Sequence, residues 1–210
     1  MDITWLGHAS FLIKTSNGRK ILMDPFDNTV GYDIYRGKVS VVTISHHHFD
    51  HNYIKDITYD NLIDKPGSFQ IEDINIQGIQ TFHDKMKGAK RGENIVFILE
   101  IDGLRVCHLG DLGHLLSTSE LDLFGSIDVL FIPVGGNFTI DGEEAAKICT
   151  KLQSKIVIPM HYATPKLKFS LEGVEKFLKF MKNATKINSN SFTVEDKLLN
   201  ETNKVIIMNC

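Results

Sequence analysis

The sequence predicts an α/β protein whose strands deliver metal-ligand residues to one place. Three features point there. Short apolar runs, partly alternating, recur along the chain and are joined by hairpin-type turns at Asn17-Gly18 and Asp102-Gly103. The pattern Asp141-Gly142-Glu143-Glu144 opens an amphipathic helix whose apolar side is Ala145, Ile148, Cys149 and Leu152. Above all, an apolar strand followed by a ligand-type residue occurs four times, ending in the cluster at residues 46–51, in His83, in Asp111 and in His161.

The densest of these is Ser45-His46-His47-His48-Phe49-Asp50-His51, after the apolar run Val39 to Ile44. An extended chain sends alternate side chains to one side, so His46, His48 and Asp50 can converge on one point. His51 breaks the alternation and would face a second ion. Imidazole and carboxylate both ligate zinc and comparable divalent ions. The plainer reading is a polar surface loop or a tag-like run. An interleaved acid, an internal position and a preceding buried strand argue against it.

In chain order, residues 2–24 read as a meander of three short strands. His8 and Asp24 sit at strand ends, either as an ordinary loop histidine and a turn aspartate or as hydrogen-bonded support for metal ligands. Residues 25–38 read as loop, and Asn52 to Lys65 as holding a short helix ended by Pro66-Gly67. Phe69 to Phe82 reads as one or two strands delivering His83. Residues 85–94, basic and glycine-rich, read as a solvated flexible loop or a mobile rim on which Arg91 could pair an anionic substrate group. A hairpin around Asp102-Gly103 leads to Asp111 between glycines, where a carboxylate could offer one oxygen to each of two ions. The plainer alternative there is a surface Asp in a turn. Residues 117–124 suggest a short helix, Ile127 to Pro133 a buried strand, Ile156 onward a strand followed by His161, and Ser170 the cap of a last helix with Leu171, Val174, Phe177, Leu178 and Met181 on one face. The runs Ser191 to Val194 and Lys204 to Met208 close the sheet.

A chain of 210 residues with 42% hydrophobic content can bury a sizeable core, and residues 1–210 read as one domain. A net charge of -3, from 23 basic and 26 acidic residues, offers no electrostatic case for nucleic acid or an acidic membrane. Cys107, Cys149 and Cys210 are too few and too widely spaced for a disulfide framework or a cysteine zinc site. With no leader-like start and no apolar run of spanning length, the expected location is the cytoplasm. A small-molecule substrate is the expected partner, and association into a homo-oligomer is left open by the pattern.

The series His46-x-His48-x-Asp50-His51, His83, Asp111 and His161 resembles, in the same chain order, the ligand set of the metallo-β-lactamase superfamily. Trp5-Leu6-Gly7-His8-Ala9, Leu22-Met23-Asp24-Pro25-Phe26, the stretch His108 to His114 and Ile158-Pro159-Met160-His161-Tyr162 resemble the branch that includes ascorbate-6-phosphate lactonase and the N-acyl-phosphatidylethanolamine phospholipase D type. The resemblance implies a four-layer αββα sandwich with metals at one edge between the sheets. It assigns His46, His48 and His83 to one ion and Asp50, His51 and His161 to the other, with Asp111 bridging. It departs from the pattern at His47, which is expected to turn away, and in its short length.

The expected activity is a hydrolase with two divalent ions, zinc first and manganese or iron next, whose bridging hydroxide attacks a small ester, lactone or phosphodiester. Asp50 would orient that nucleophile and take its proton, and His114 would donate to the leaving group. His8, Arg91, Asn137 and Tyr162 are candidates for the substrate pocket, and Asp24 for ligand support. A non-hydrolytic di-iron redox or metal-sensing module is the alternative, and a binding protein with vestigial metals the third reading.

Overall fold

The computed structural model describes residues 1–209; Cys210 lies outside the described residues. The first sheet begins with β1 (Asp2–Gly7), β2 (Ser10–Lys14) and β3 (Lys20–Met23), antiparallel neighbours in that order, and continues in parallel with β4 (Lys38–Thr43) and β5 (Thr58–Ile63). A second sheet starts as the antiparallel meander β6 (Gly67–Ile71), β7 (Ile74–Phe82), β8 (Glu93–Ile101) and β9 (Leu104–His108). It then turns parallel through β10 (Val129–Pro133) and β11 (Ile156–Met160), with α1 (Thr118–Phe124) and α2 (Gly142–Leu152) in the connections. After a single turn of helix, α3 (Glu175–Leu178), the chain adds β12 (Ala184–Lys186), β13 (Ser191–Thr193) and β14 (Lys204–Ile207). β13 pairs with β1, completing a six-stranded sheet, while β12 and β14 complete an eight-stranded one. The tail therefore closes both sheets rather than one.

Alternation dictates how the sheets stack. Ile3, Trp5, Phe11, Ile13, Ile21 and Met23 are buried in the main core, whereas Leu6, Leu12 and Leu22 face the other side and pack with Ile54 and Ile57. Phe11 of the first sheet stacks on Phe131 of the second, with ring centroids 4.1 Å apart, so the two inner faces meet there. All five residues of β10 and of β11 are buried, as expected for parallel strands covered on both faces. Helix α2 lies outside them and buries Ala145, Ile148 and Cys149. Its start is the capping box predicted from Asp141 and Glu144. The result is an α/β sandwich of two mixed sheets, with few helices.

Two expected elements come out differently. Residues 58–63 form strand β5, not a helix, because Thr58 through Ile63 find hydrogen-bonding partners in parallel with Lys38 through Thr43; long-range pairing overrides local ambiguity. Loop residues such as Ile54 and Ile57, rather than a helix, cover that face. The last helix shrinks to Glu175–Leu178, and Ser170 does not cap it. Ala163 N donates to Glu172 O and Glu172 N to Gly135 O, which holds the segment before it extended. Phe177 and Met181 are still buried.

Replacing Phe11 with Ala should cost ~3–5 kcal/mol of unfolding free energy by chemical denaturation, since it opens a void at the meeting of the sheets. A loss under ~1 kcal/mol would mean that the sheets are held elsewhere.

Candidate metal centre

The strand ends meet around Asp111, whose side chain is 3% exposed. Its Oδ2 lies 3.1 Å from His161 Nε2, 3.2 Å from His83 Nε2 and 4.0 Å from His46 Nε2, while Oδ1 lies 3.3 Å from His51 Nε2. Ligand-type atoms gather around it in two main sets, with a third grouping of Asp24, His46 and His51 between their members. One is His46, His48 and His83; the other is Asp50, His51 and His161 with His8, the atoms of each set lying within 4.8 Å of one another. The side chains that converge come from the ends of β4, β7, β9 and β11, as the repeated strand-then-ligand pattern requires.

These groups are poorly satisfied by one another. Nε2 of His46, His51 and His161 and Oδ1 of Asp111 are buried without a hydrogen-bond partner. A buried polar atom left unpaired costs about 1–3 kcal/mol, so such a concentration needs a common partner. A divalent cation fits: each of these four atoms is a nitrogen or oxygen donor of the kind it engages.

Charge follows from burial and neighbours. Burial drives the His46 imidazole down to about 2 and His8 down to about 4, with nearby His51 and His161 adding to the respective effects. His48 is lowered by burial and then by His83. Burial acts against the charged form of His51 too, yet the Asp111 and Asp24 carboxylates outweigh it and raise that group. Burial alone would raise Asp111, but His161 and His51 hold it well below the usual carboxylate range.

A layer of hydrogen bonds aims the rings. Asp24 Oδ2 accepts from His51 Nδ1 at 2.8 Å and from Ser45 Oγ at 2.6 Å, and its Oδ1 accepts from Ser45 N at 2.7 Å. With its oxygens so occupied, Asp24 orients His51, and Ser45 Oγ also lies 3.0 Å from His46 Nδ1. His8 Nε2 donates to Asp50 Oδ2 at 3.1 Å. Asn94 Oδ1 accepts from Asp111 N, and its amide holds Leu109 O. His108 spans Ala9 O and Gly110 N. His8, Asp24 and His161 all have left-handed backbones, with φ of 54°, 44° and 51°, a cost concentrated where side chains must be aimed. A Cβ on Gly110 would lie 2.6 Å from that of Ser45, and one on Gly113 would strike the His83 backbone. Glycine there lets the Asp111 loop close on both neighbours.

Residues 2–161 match the β-lactamase superfamily domain family. The chain belongs to the metallo-β-lactamase superfamily. A UPF0173 metal-dependent hydrolase of Pyrococcus furiosus is 31% identical over 78% of this chain and 85% of its own length. A second of that description, from Myxococcus xanthus, is 27% identical over 89% of this chain and 79% of its own. Among solved structures, a Thermotoga maritima protein assigned to the zinc-dependent hydrolases of the superfamily is 39% identical, with a TM-score of 0.83 covering 99% of this chain and 97% of that one. The relatives of this superfamily member are thus described as metal-dependent hydrolases.

The remaining predicted residues divide. His47 is turned away, 65% exposed and 3.7 Å from Asp64. Three residues lie elsewhere than a proton donor or an open pocket wall would. His114, expected as the proton donor, has its ring against Phe82 N, Leu115 O and Glu120, and among the described residues no hydrogen bond or ion pair joins it to the cluster. His8 is wholly buried between Asp50 and His161, so it supports ligands instead of lining an open pocket. Tyr162 packs on Trp5 at 5.3 Å, beside a different hollow. Asn137 donates to Ser170 O and borders a hollow next to His83, holding a loop at the rim. Asp24 stands where support for the ligands was expected.

Over the cluster lies a cavity of about 380 Å³ that reaches His48, Asp50, His83 and Asp111. Its other walls, Phe49, Phe138, Phe169 and Arg91, include three phenyl rings that sequence reasoning passed over. A hollow of about 470 Å³ beside Phe69 and Arg105 contains none of the ligand-type residues. The rim segment after His83 is pinned, contrary to the flexible-loop reading. Asp84 accepts from the backbone N–H of Met86, Gly88, Lys90 and Arg91 at 2.7–3.0 Å. Burial opposes ionisation there, but these N–H donors, Arg91 foremost, bring the carboxyl down to about 2.

A depressed carboxylate stabilises the folded loop above the unfolded value near ~3.9, and that support is lost as pH falls through about 2. Asp84→Ala should speed amide hydrogen exchange of residues 86–91 at neutral pH by about tenfold or more, leaving the core strands protected. Unchanged exchange in that segment would contradict the pinning.

Proposed function

We propose that this protein is a binuclear metal-dependent hydrolase acting on a small ester, lactone or phosphodiester. The observation that carries the reading is Asp111: one buried carboxylate lies beside imidazole nitrogens of both sets, and Nε2 of His46, His51 and His161 is buried without a hydrogen-bond partner. His46, His48 and His83 would hold one ion, Asp50, His51 and His161 the other, and Asp111 both. The donors suit zinc, and also manganese or iron. Two such ions, when bound, supply a water of lowered pKa as nucleophile and polarise the oxygen of the scissile group.

The chain's own residues do the rest. Asp24 and Ser45 fix the rings of His51 and His46, so the donors are arranged before anything binds. Asp50 is ionised: burial works against it, but the hydrogen bond from His8 and the proximity of His51 hold its carboxyl below the usual range. With Oδ2 held by His8, Oδ1 can receive the proton of the attacking water. The phenyl walls of the cavity limit water around the scissile group. No helix among the described residues is long and apolar enough to cross a membrane, and we place the enzyme in the cytoplasm with a small-molecule substrate.

Elemental analysis of protein purified without added metal should find about two zinc, manganese or iron ions per chain, together with turnover of a lactone, an ester or a phosphodiester. Asp111→Ala should lose metal and activity together. Retained turnover in that variant, or iron bound without any hydrolysis, would contradict the proposal, the latter in favour of a redox module. Asp24→Ala should weaken metal binding by roughly 10–100-fold in a competitive chelator titration while circular dichroism stays native. An unaltered affinity would remove Asp24 from the orienting role.

A further inference from the structure

We infer that the substrate is a monoanion with an aryl or branched alkyl arm, its charge held by Arg91 and its arm by Phe49, Phe138 and Phe169. This deepens the hydrolase reading and rests on it. Three observations converge.

The first is an unspent cation. Arg91 N is fixed by Asp84 Oδ2 at 2.7 Å, and its guanidinium carbon lies 4.4 Å over the Phe138 ring. Among the described residues no carboxylate or carbonyl receives its side-chain N–H groups. Other basic residues nearby are placed differently: Lys85 is paired with Glu144, and Lys90 borders the adjoining hollow and not this cavity. A guanidinium positioned by stacking, with its donor fork free, is suited to one carboxylate or one phosphodiester oxygen pair.

The second is the wall chemistry. Phe138 and Phe169 lie 6.5 Å apart, and Phe49 keeps 58% of its surface exposed although it stands between two ligand-type residues. Phenyl rings offer no hydrogen bonds, so a polyhydroxylated arm would leave its hydroxyls unpaired on entering. An apolar arm would instead cover the exposed ring.

The third is charge number. A group remote from the scissile bond lies off the bound ions and meets one guanidinium in this cavity, whereas a phosphomonoester placed there carries close to two charges at neutral pH. Together these favour a singly charged ester with an apolar arm over a sugar phosphate or its lactone. The charge could be a phosphodiester's own or a carboxylate remote from the scissile bond; the shared requirement is one negative charge beside the arm.

The test uses the metal-loaded protein and non-hydrolysable probes in isothermal titration calorimetry. Diphenylphosphinate, a monoanion with two phenyl groups, should bind about tenfold or more tightly than dimethylphosphinate, and more tightly than glucose 6-phosphate. Arg91→Met should weaken diphenylphosphinate about tenfold, and Arg91→Lys should recover part of the loss by restoring the charge. Metal content, read on the same samples, should not differ between the variants. Equal binding of the two phosphinates, tighter binding of glucose 6-phosphate, or indifference to Arg91→Met would overturn the inference. Turnover separates the sources and the two readings. Bis(4-nitrophenyl) phosphate cleaved faster than the 4-nitrophenyl monoester of glutaric acid assigns the charge to the scissile phosphate, and the reverse assigns it to a remote carboxylate. Selective binding with no turnover of either, or of neutral phenyl acetate, would overturn the hydrolase reading and leave the ligand class standing.

Discussion

The structure depends on burying one carboxylate among imidazoles. Asp111 is almost wholly removed from solvent beside His46, His51, His83 and His161, and several of the facing atoms have no hydrogen bond. In an ordinary core this arrangement would be a liability, because each unpaired buried group carries a desolvation cost. Here the surrounding chain is arranged to maintain it. Left-handed residues at His8, Asp24 and His161, the close approach at Gly110 and Gly113, and the hydrogen-bond layer from Asp24, Ser45 and Asn94 all hold the donors in position.

The sandwich supplies the means. Each sheet is part antiparallel and part parallel, and the ligand-bearing ends of β4, β7, β9 and β11 come to the same edge. Apolar interdigitation between the sheets, with Phe11 on Phe131 near its centre, keeps those ends in register. His161 N donates to His8 O, so a strand end of one sheet is tied directly to a turn of the other. Stability and site geometry are thus linked through the same backbone contacts.

What was legible in the sequence was what local turn and cap chemistry encodes: the Asp102-Gly103 turn and the capping box at Asp141 and Glu144 have their counterparts in the structure. The alternation expected to bring His46, His48 and Asp50 to one point does not, because residues 49–51 turn, His51 N donates to His48 O, and Asp50 groups with His51 instead. Pairings between distant segments were not legible. Thr58 to Ile63 has no local mark of its parallel partner, and the extended path before α3 is imposed by Gly135. His114 illustrates a different limit. Neighbouring Asp111 in sequence does not bring it to the same face, since the chain turns after Gly113 and sends its ring to Phe82. Ser45 and Asn94 could have been suspected as polar residues at the ends of apolar runs, but nothing local distinguishes them from turn residues. Phe49, Phe138 and Phe169 become a wall only when three separate loops are brought together.

Whether Asp111 joins two ions can be read by anomalous X-ray diffraction from metal-loaded crystals, recorded on either side of the absorption edge of the metal found by elemental analysis. Two anomalous peaks should flank Asp111, one beside His46, His48 and His83 and the other beside Asp50, His51 and His161. A single peak, or ions lying away from the Asp111 carboxylate, would contradict bridging by Asp111.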